Sequence, residues 1–182
     1  MCEECGEKYT SQITSKNAGL PVIKVEGSLE GISKENKVNV EISYDGSTAF
    51  KSAATLKWQG ESTLKYQKKN YSVRFLTKNG EKNKVLISDD WGEQSKYCLK
   101  ANWEDWAGCR NLVSAALWGD TARSRQPADI LSGLVNAGAV DGFPVLLFVN
   151  GGFEGLYTLN SPKDEWIFGM SDKEKRQGLL FA

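Results

Sequence analysis

Histidine is absent from the 182-residue sequence. Its absence excludes Ser-His and Cys-His nucleophilic pairs, His-ligated zinc and imidazole acid–base chemistry. Any catalysis would rest on carboxylates, lysines or a metal held by oxygen ligands. Long apolar runs are missing too: none reaches the roughly twenty residues of a membrane-spanning helix. The opening MCEECGEKYT has neither the basic nor the apolar region of a secretory signal, which points to a cytoplasmic or virion-associated setting. Net charge is zero, with 23 basic residues against 23 acidic ones. No global field draws the chain to nucleic acid or an anionic membrane, so any basic function is a local patch. Cysteine is scarce. Cys2 and Cys5 form a C-x-x-C, half of a thiolate zinc site, but Cys98 and Cys109 do not repeat that spacing. The pair reads as part of a reduced leader, with zinc as the alternative, and Cys98 reads as a core thiol.

What is present is aromatic and periodic. Six Trp, six Tyr and seven Phe argue for a folded core, and the length suits one domain. Residues 1–19 read as a flexible leader and 20–182 as the domain. Alternation predicts strands at Leu20–Val25, Val38–Tyr44, Ala54–Trp58 and Tyr71–Phe75, with a short edge strand at Lys84–Ile87. Asp45-Gly46 and Asn79-Gly80 mark turns. Tyr97–Ala101 reads as a compact apolar strand. From Gly108 to Arg123 the spacing is helical, with Leu112, Val113, Ala116 and Leu117 on apolar steps. A short helix is expected at Ala128–Val135. Phe143–Val149 and Phe153–Leu159 form a hairpin through Asn150-Gly151. The tail holds Trp166-Ile167-Phe168 and a charged run from Asp172 to Arg176. The fold class is α+β: an antiparallel β-sheet with one main helix.

The most informative stretch is Lys57 to Phe75. A strand with Leu56 and Trp58 runs into Gln59-Gly60-Glu61-Ser62-Thr63, then Lys65, Lys68 and Lys69, then Tyr71-Val73-Phe75. Glycine, small hydroxyls and cations between two strands are one way to hold a phosphate group. It is not a Walker loop, since no G-x-x-x-x-G-K-[ST] occurs. The alternative is a hairpin with a solvated lysine turn.

Four blocks in order resemble the spore coat protein H (CotH) kinase-like family. Leu20-Pro21-Val22-Ile23 is similar to its opening strand. Trp58-Gln59-Gly60-Glu61-Ser62-Thr63 with Lys68-Lys69-Asn70-Tyr71 resembles its R-G-N-S-[ST]…[KP]-K-K-x-Y signature. Lys100-Ala101-Asn102, Asp105 and Arg110-Asn111 resemble its A-N-x-x-D-x-x-x-x-R-N block. Val149-Asn150-Gly151 with Gly155-Leu156-Tyr157 resembles its N-G-x-[YF]-x-G-x-Y hairpin. The variants Lys57-Trp58-Gln59-Gly60 and Asn160-Ser161-Pro162-Lys163-Asp164 through Met170 look closer to copies in phage and prophage tail genes of Gram-positive bacteria than to spore coat proteins.

The resemblance implies the N-terminal part of an atypical protein-kinase-like fold that binds ATP with Mg²⁺ and phosphorylates protein hydroxyls. It places Gly60, Ser62, Lys68, Lys69 and Arg110 at the nucleotide, Arg110 and Asn111 opening the helix that buttresses it. Gln59 departs from the signature arginine. The family's catalytic Asp and Asn lie beyond the region corresponding to Ala182, so the expectation is a C-terminally shortened kinase-like domain without its catalytic set. Its alternative is a non-catalytic structural or interaction module of a phage tail or cell-surface assembly. The implied partners are a protein substrate or an assembly partner, an oligomer included.

Overall fold

In the computed structural model, residues 13–125 and 133–170 are described. In chain order they form α1 (Ser15–Ala18), β1 (Val22–Glu26), β2 (Val38–Asp45), β3 (Ala49–Gln59), β4 (Asn70–Leu76), β5 (Val85–Leu86), β6 (Glu93–Gln94), β7 (Lys96–Lys100), α2 (Arg110–Arg123), β8 (Gly142–Val149) and β9 (Gly152–Asn160). Strands dominate and α2 is the main helix, so the α+β reading stands. Cys2, Cys5, most of the Ala128–Val135 helix and the Asp172–Arg176 run lie outside the described residues.

The arrangement of the strands corrects the expected sheet. They close into a barrel in the order β1-β2-β3-β4-β7-β9-β8, rather than forming the antiparallel sheet of a kinase-like fold. Every pairing around the barrel is antiparallel except the one that closes it, where β8 runs parallel to β1 with Val22 opposite Leu146 and Val25 opposite Val149. Closure removes the exposed edges that an open sheet would leave. It also explains why the hairpin turn matters. Asn150 and Gly151 both have positive φ (47° and 78°), as the tight two-residue turn requires. The Asn150 side chain then pairs with both backbone groups of Gly27 at 2.9 Å, clipping the hairpin to the end of β1.

Alternation decides what fills the barrel. Val40, Ile42 and Tyr44 of β2, Tyr71, Val73 and Phe75 of β4, Tyr97 and Leu99 of β7, and Tyr157 and Leu159 of β9 all face inward and are buried. At one end, Phe50, Phe75, Tyr97, Trp91 and Phe143 form a chain of ring contacts with centroids 5.3–6.0 Å apart. Trp91 is fixed there by its indole N–H on Asp141 (2.9 Å), and Tyr97 by its hydroxyl on the Val85 carbonyl (2.9 Å). At the other end Tyr71 stacks on Tyr157. Cys98 is buried, as expected of a core thiol. Trp103, by contrast, is 48% exposed. Within the leader segment, Ser15 of α1 donates two 2.8 Å bonds to Asp45 and so ties this turn to the end of β2.

Helix α2 forms as its sequence demands but buries little. Only Gly119 and Ala122 are fully covered. The apolar steps Val113 and Leu117 are 60% and 65% exposed. Among the described residues no helix is long and apolar enough to cross a membrane.

Candidate functional site

A cleft of about 520 Å³ opens beside the Tyr71–Tyr157 end of the barrel. Four segments build it. The turn after β3 supplies Thr63, Tyr66, Lys68 and Asn70. The end of β7 and its following loop supply Lys100, Asn102, Trp103, Glu104 and Asp105. Helix α2 adds Asn111, and β9 with its exit adds Thr158, Asn160 and Lys163.

Asn70 joins the first two segments. Its carbonyl accepts the Ala101 N–H (2.7 Å), and its amide donates to the Thr63 hydroxyl (3.3 Å). Asn102, held at φ +49°, does the same further on, donating to the Gly108 carbonyl (3.0 Å) and the Thr158 hydroxyl (3.3 Å). Thr158 passes its proton bond to Asn160 (2.8 Å). A chain of amides and hydroxyls thus forms the floor.

Gly60 is required for this geometry. Its φ of +122° disfavours any side chain, and a Cβ there would lie 2.1 Å from the Thr63 hydroxyl oxygen. Gly60→Ala should therefore cost about 1–3 kcal/mol of stability and displace Thr63 from the cleft. A thermal midpoint equal to that of the unmodified chain would refute this.

The cations divide into two kinds. Lys69 turns inward on its own loop, donating to the carbonyls of Leu64 (2.7 Å) and Tyr66, with its ammonium 5.1 Å from the Trp58 ring centroid. Lys68 spans a gap in the barrel wall. The β7–β9 pairing begins only at Lys100 opposite Thr158, and Lys68 bridges beyond it by donating to Leu156 (2.5 Å) and Ala101 (3.2 Å) over the Tyr157 ring. Burial holds its ammonium below the usual lysine range, and Glu154 partly opposes this. Both lysines are committed to structure.

Lys100 and Lys163 are different. Lys100 reaches Gln59, whose side-chain oxygen accepts at 2.8 Å. This is the residue standing where the resembled signature has arginine, and it solvates the ammonium without neutralising it. Burial depresses the Lys100 pKa, Cys98 opposes that, and the Lys163 charge adds to the depression. Among the described residues no carboxylate lies within ion-pair distance of Lys68, Lys100 or Lys163.

The two carboxylates of the cleft are already engaged. Asp105 accepts the backbone N–H of Arg110 at Oδ2 (2.7 Å) and that of Ala107 at Oδ1 (3.2 Å), and Oδ1 also faces the Arg110 guanidinium at 3.4 Å. Glu104 accepts from the Tyr66 hydroxyl, whose ring stacks on Trp103. No group of three potential metal-ligating residues converges among the described residues.

Of the residues expected at a nucleotide, only Lys68 lines the cleft. Gly60 and Ser62 shape the turn behind Thr63, Lys69 stabilises it, and Arg110 pairs with Asp105. The lining residues Asn70, Lys100 and Asn102 belong to the blocks that carry the resemblance, and Asn160 and Lys163 to the Asn160–Met170 stretch that follows them. No family model and no curated protein matches this chain.

Proposed function

We propose that the cleft binds a phosphorylated, anionic ligand, with ATP as the working candidate, and does so without catalysing transfer. The observation that carries this is the pair Lys100 and Lys163. Lys100 is a part-buried ammonium whose partner Gln59 is neutral, and Lys163 is an exposed ammonium on the same cleft, so an anion entering it supplies the compensation that Lys100 lacks. Thr63 and the amides of the floor offer neutral donors for phosphate oxygens, and the Tyr66–Trp103 stack at the rim offers a ring surface for a base. The same ligand class is what the resemblance to CotH proteins implies. The engaged state of Asp105 and Glu104 argues against metal-assisted transfer by these residues.

Calorimetric titration with ATP and with inorganic tripolyphosphate tests the proposal. Both should bind, and Lys100→Gln and Lys163→Gln should each weaken binding by about tenfold or more, the worth of a charge-assisted hydrogen bond. Absence of heat and of any thermal shift with either anion would sink it.

A second reading is a structural or interaction module. It is favoured by the large apolar side chains exposed around α2.

A further inference from the structure

Every large exposed apolar side chain among the described residues falls in two stretches. Trp103, Trp106, Val113, Leu117 and Trp118 lie in the loop before α2 and in the helix itself, and Phe153 and Leu156 lie on β9. The two stretches adjoin, since a Cβ on Gly108 would touch Leu156 at 3.8 Å. Scattered surface hydrophobics need no explanation, but a contiguous group of this kind does.

The orientation of α2 gives the group its geometry. The helix is seated by small residues. Gly119 lies so close to Asn136 that a Cβ would come within 2.1 Å of its side-chain oxygen, while Asn136 donates to the Ala115 carbonyl (3.1 Å) and Trp118 to the Ala137 carbonyl (3.2 Å). At 3.6 residues per turn, Val113 and Leu117 lie roughly 120–180° around the axis from Gly119 and Ala122. They therefore form the face of α2 turned away from the Val135–Gly138 segment on which it is seated.

That outer face is continuous and self-complementary. Arg110, Val113, Leu117 and Asp120 follow one another at steps of three, four and three, which is one stripe of a helix. The spacing is palindromic, with a cation at one end and a carboxylate at the other. A second copy laid antiparallel would place each arginine beside an aspartate and each valine beside a leucine. A parallel copy would oppose like charges. The stripe thus specifies both its partner and its direction, as an isologous interface must. Its charged ends are exposed, the Arg110 and Asp120 side chains to 72% and 75%; the Asp120 pair with Arg123 is a surface pair of little worth, while Arg110 pairs with an Asp105 carboxylate that is 14% exposed. Asp105 keeps its two backbone donors if the guanidinium leaves.

We propose that two copies of this chain associate through α2, antiparallel about a twofold axis, with Arg110 of each facing Asp120 of the other across a Val113–Leu117 centre. Trp106, 98% exposed on the loop leading into α2, together with Phe153 and Leu156, enlarges the contact beyond a single helix pair, toward the ~800 Å² per partner typical of stable complexes.

Sedimentation equilibrium on the 182-residue chain, from micromolar to near-millimolar concentration, is the test. A reversible monomer–dimer equilibrium is expected. Leu117→Glu should abolish it, and Arg110→Asp or Asp120→Arg alone should weaken it by about tenfold or more through like-charge opposition. The double variant R110D/D120R should recover the unmodified affinity. R110D also sets a carboxylate beside Asp105 and D120R a guanidinium beside Arg123, but local damage of that kind would add up in the double variant, whereas restored pairing across the twofold axis reverses it. Circular dichroism should show α2 retained. A monomer at every concentration, a dimer indifferent to Leu117→Glu, or a double variant as weak as its parents would each overturn the proposal.

Discussion

Above pH 10 the barrel is expected to unfold in one cooperative step, with tyrosinate absorbance rising in the same transition. Tyr44, Tyr71, Tyr97 and Tyr157, four of the six tyrosines, are buried in the core. Burial raises the pKa of all four above the ordinary 10.0, that of Tyr71 to about 12. The unfolded chain releases these protons from pH 10 upward while the folded chain retains them. Stability is therefore complete below pH 10 and is lost as pH rises toward 12. For Tyr71 alone the linkage amounts to about 3 kcal/mol. Lys68 and Lys100 act with the opposite sign. Their folded pKa values lie below 10.5, so the unfolded chain holds more protons on them, and stability climbs as pH approaches that value from below. The two effects together give a maximum near pH 10, then a steep fall. Tyr71→Phe should move the alkaline midpoint upward. Tyrosines titrating near pH 10 in a chain that keeps its far-ultraviolet signal would contradict this account.

Leu99→Ala should be the most damaging single truncation, at about 2–5 kcal/mol. Leu99 has no exposed surface and sits between Tyr71 of β4 and Leu159 of β9, where the five-residue β7 joins the two halves of the barrel. Only three residue pairs link β7 to β9, so a cavity there loosens the narrowest part of the wall. The thermal midpoint should drop on the order of 10 °C. A shift within about 2 °C would mean that β7 contributes little to closure.

The binary pattern made most elements legible. Val38–Tyr44, Tyr71–Phe75 and the Asn150-Gly151 hairpin were readable because a period of two and a turn demanding positive φ are local properties. The two-residue pairing of β5 with β6 was only half visible: Val85–Leu86 carries a pattern, while Glu93–Gln94 has none and is a strand because of its partner. For the site, sequence singled out segments that border the cleft, but of its five residues only Lys68 lines it. Lys68 and Lys69 stand out as charges, yet backbone carbonyls that no sequence pattern displays have claimed both. Lys100 and Lys163 lie sixty-three residues apart in the chain and share one cleft only because β7 pairs with β9. The apolar steps of α2 gave a helix but not its facing. Periodicity defines a stripe, and whether that stripe meets the barrel or the solvent depends on where small residues let another segment approach.

By itself, the sequence determined the strand and helix content, the turns, the aromatic core and the absence of imidazole chemistry, since these follow from side-chain identity and local spacing. Closure of the sheet, through β8 lying parallel to β1, was decided by tertiary structure alone. So were the division of the lysines into structural and free, and the outward face of α2. Each depends on pairing between distant segments, where the energy comes from burial and hydrogen bonds that exist only once the barrel has formed.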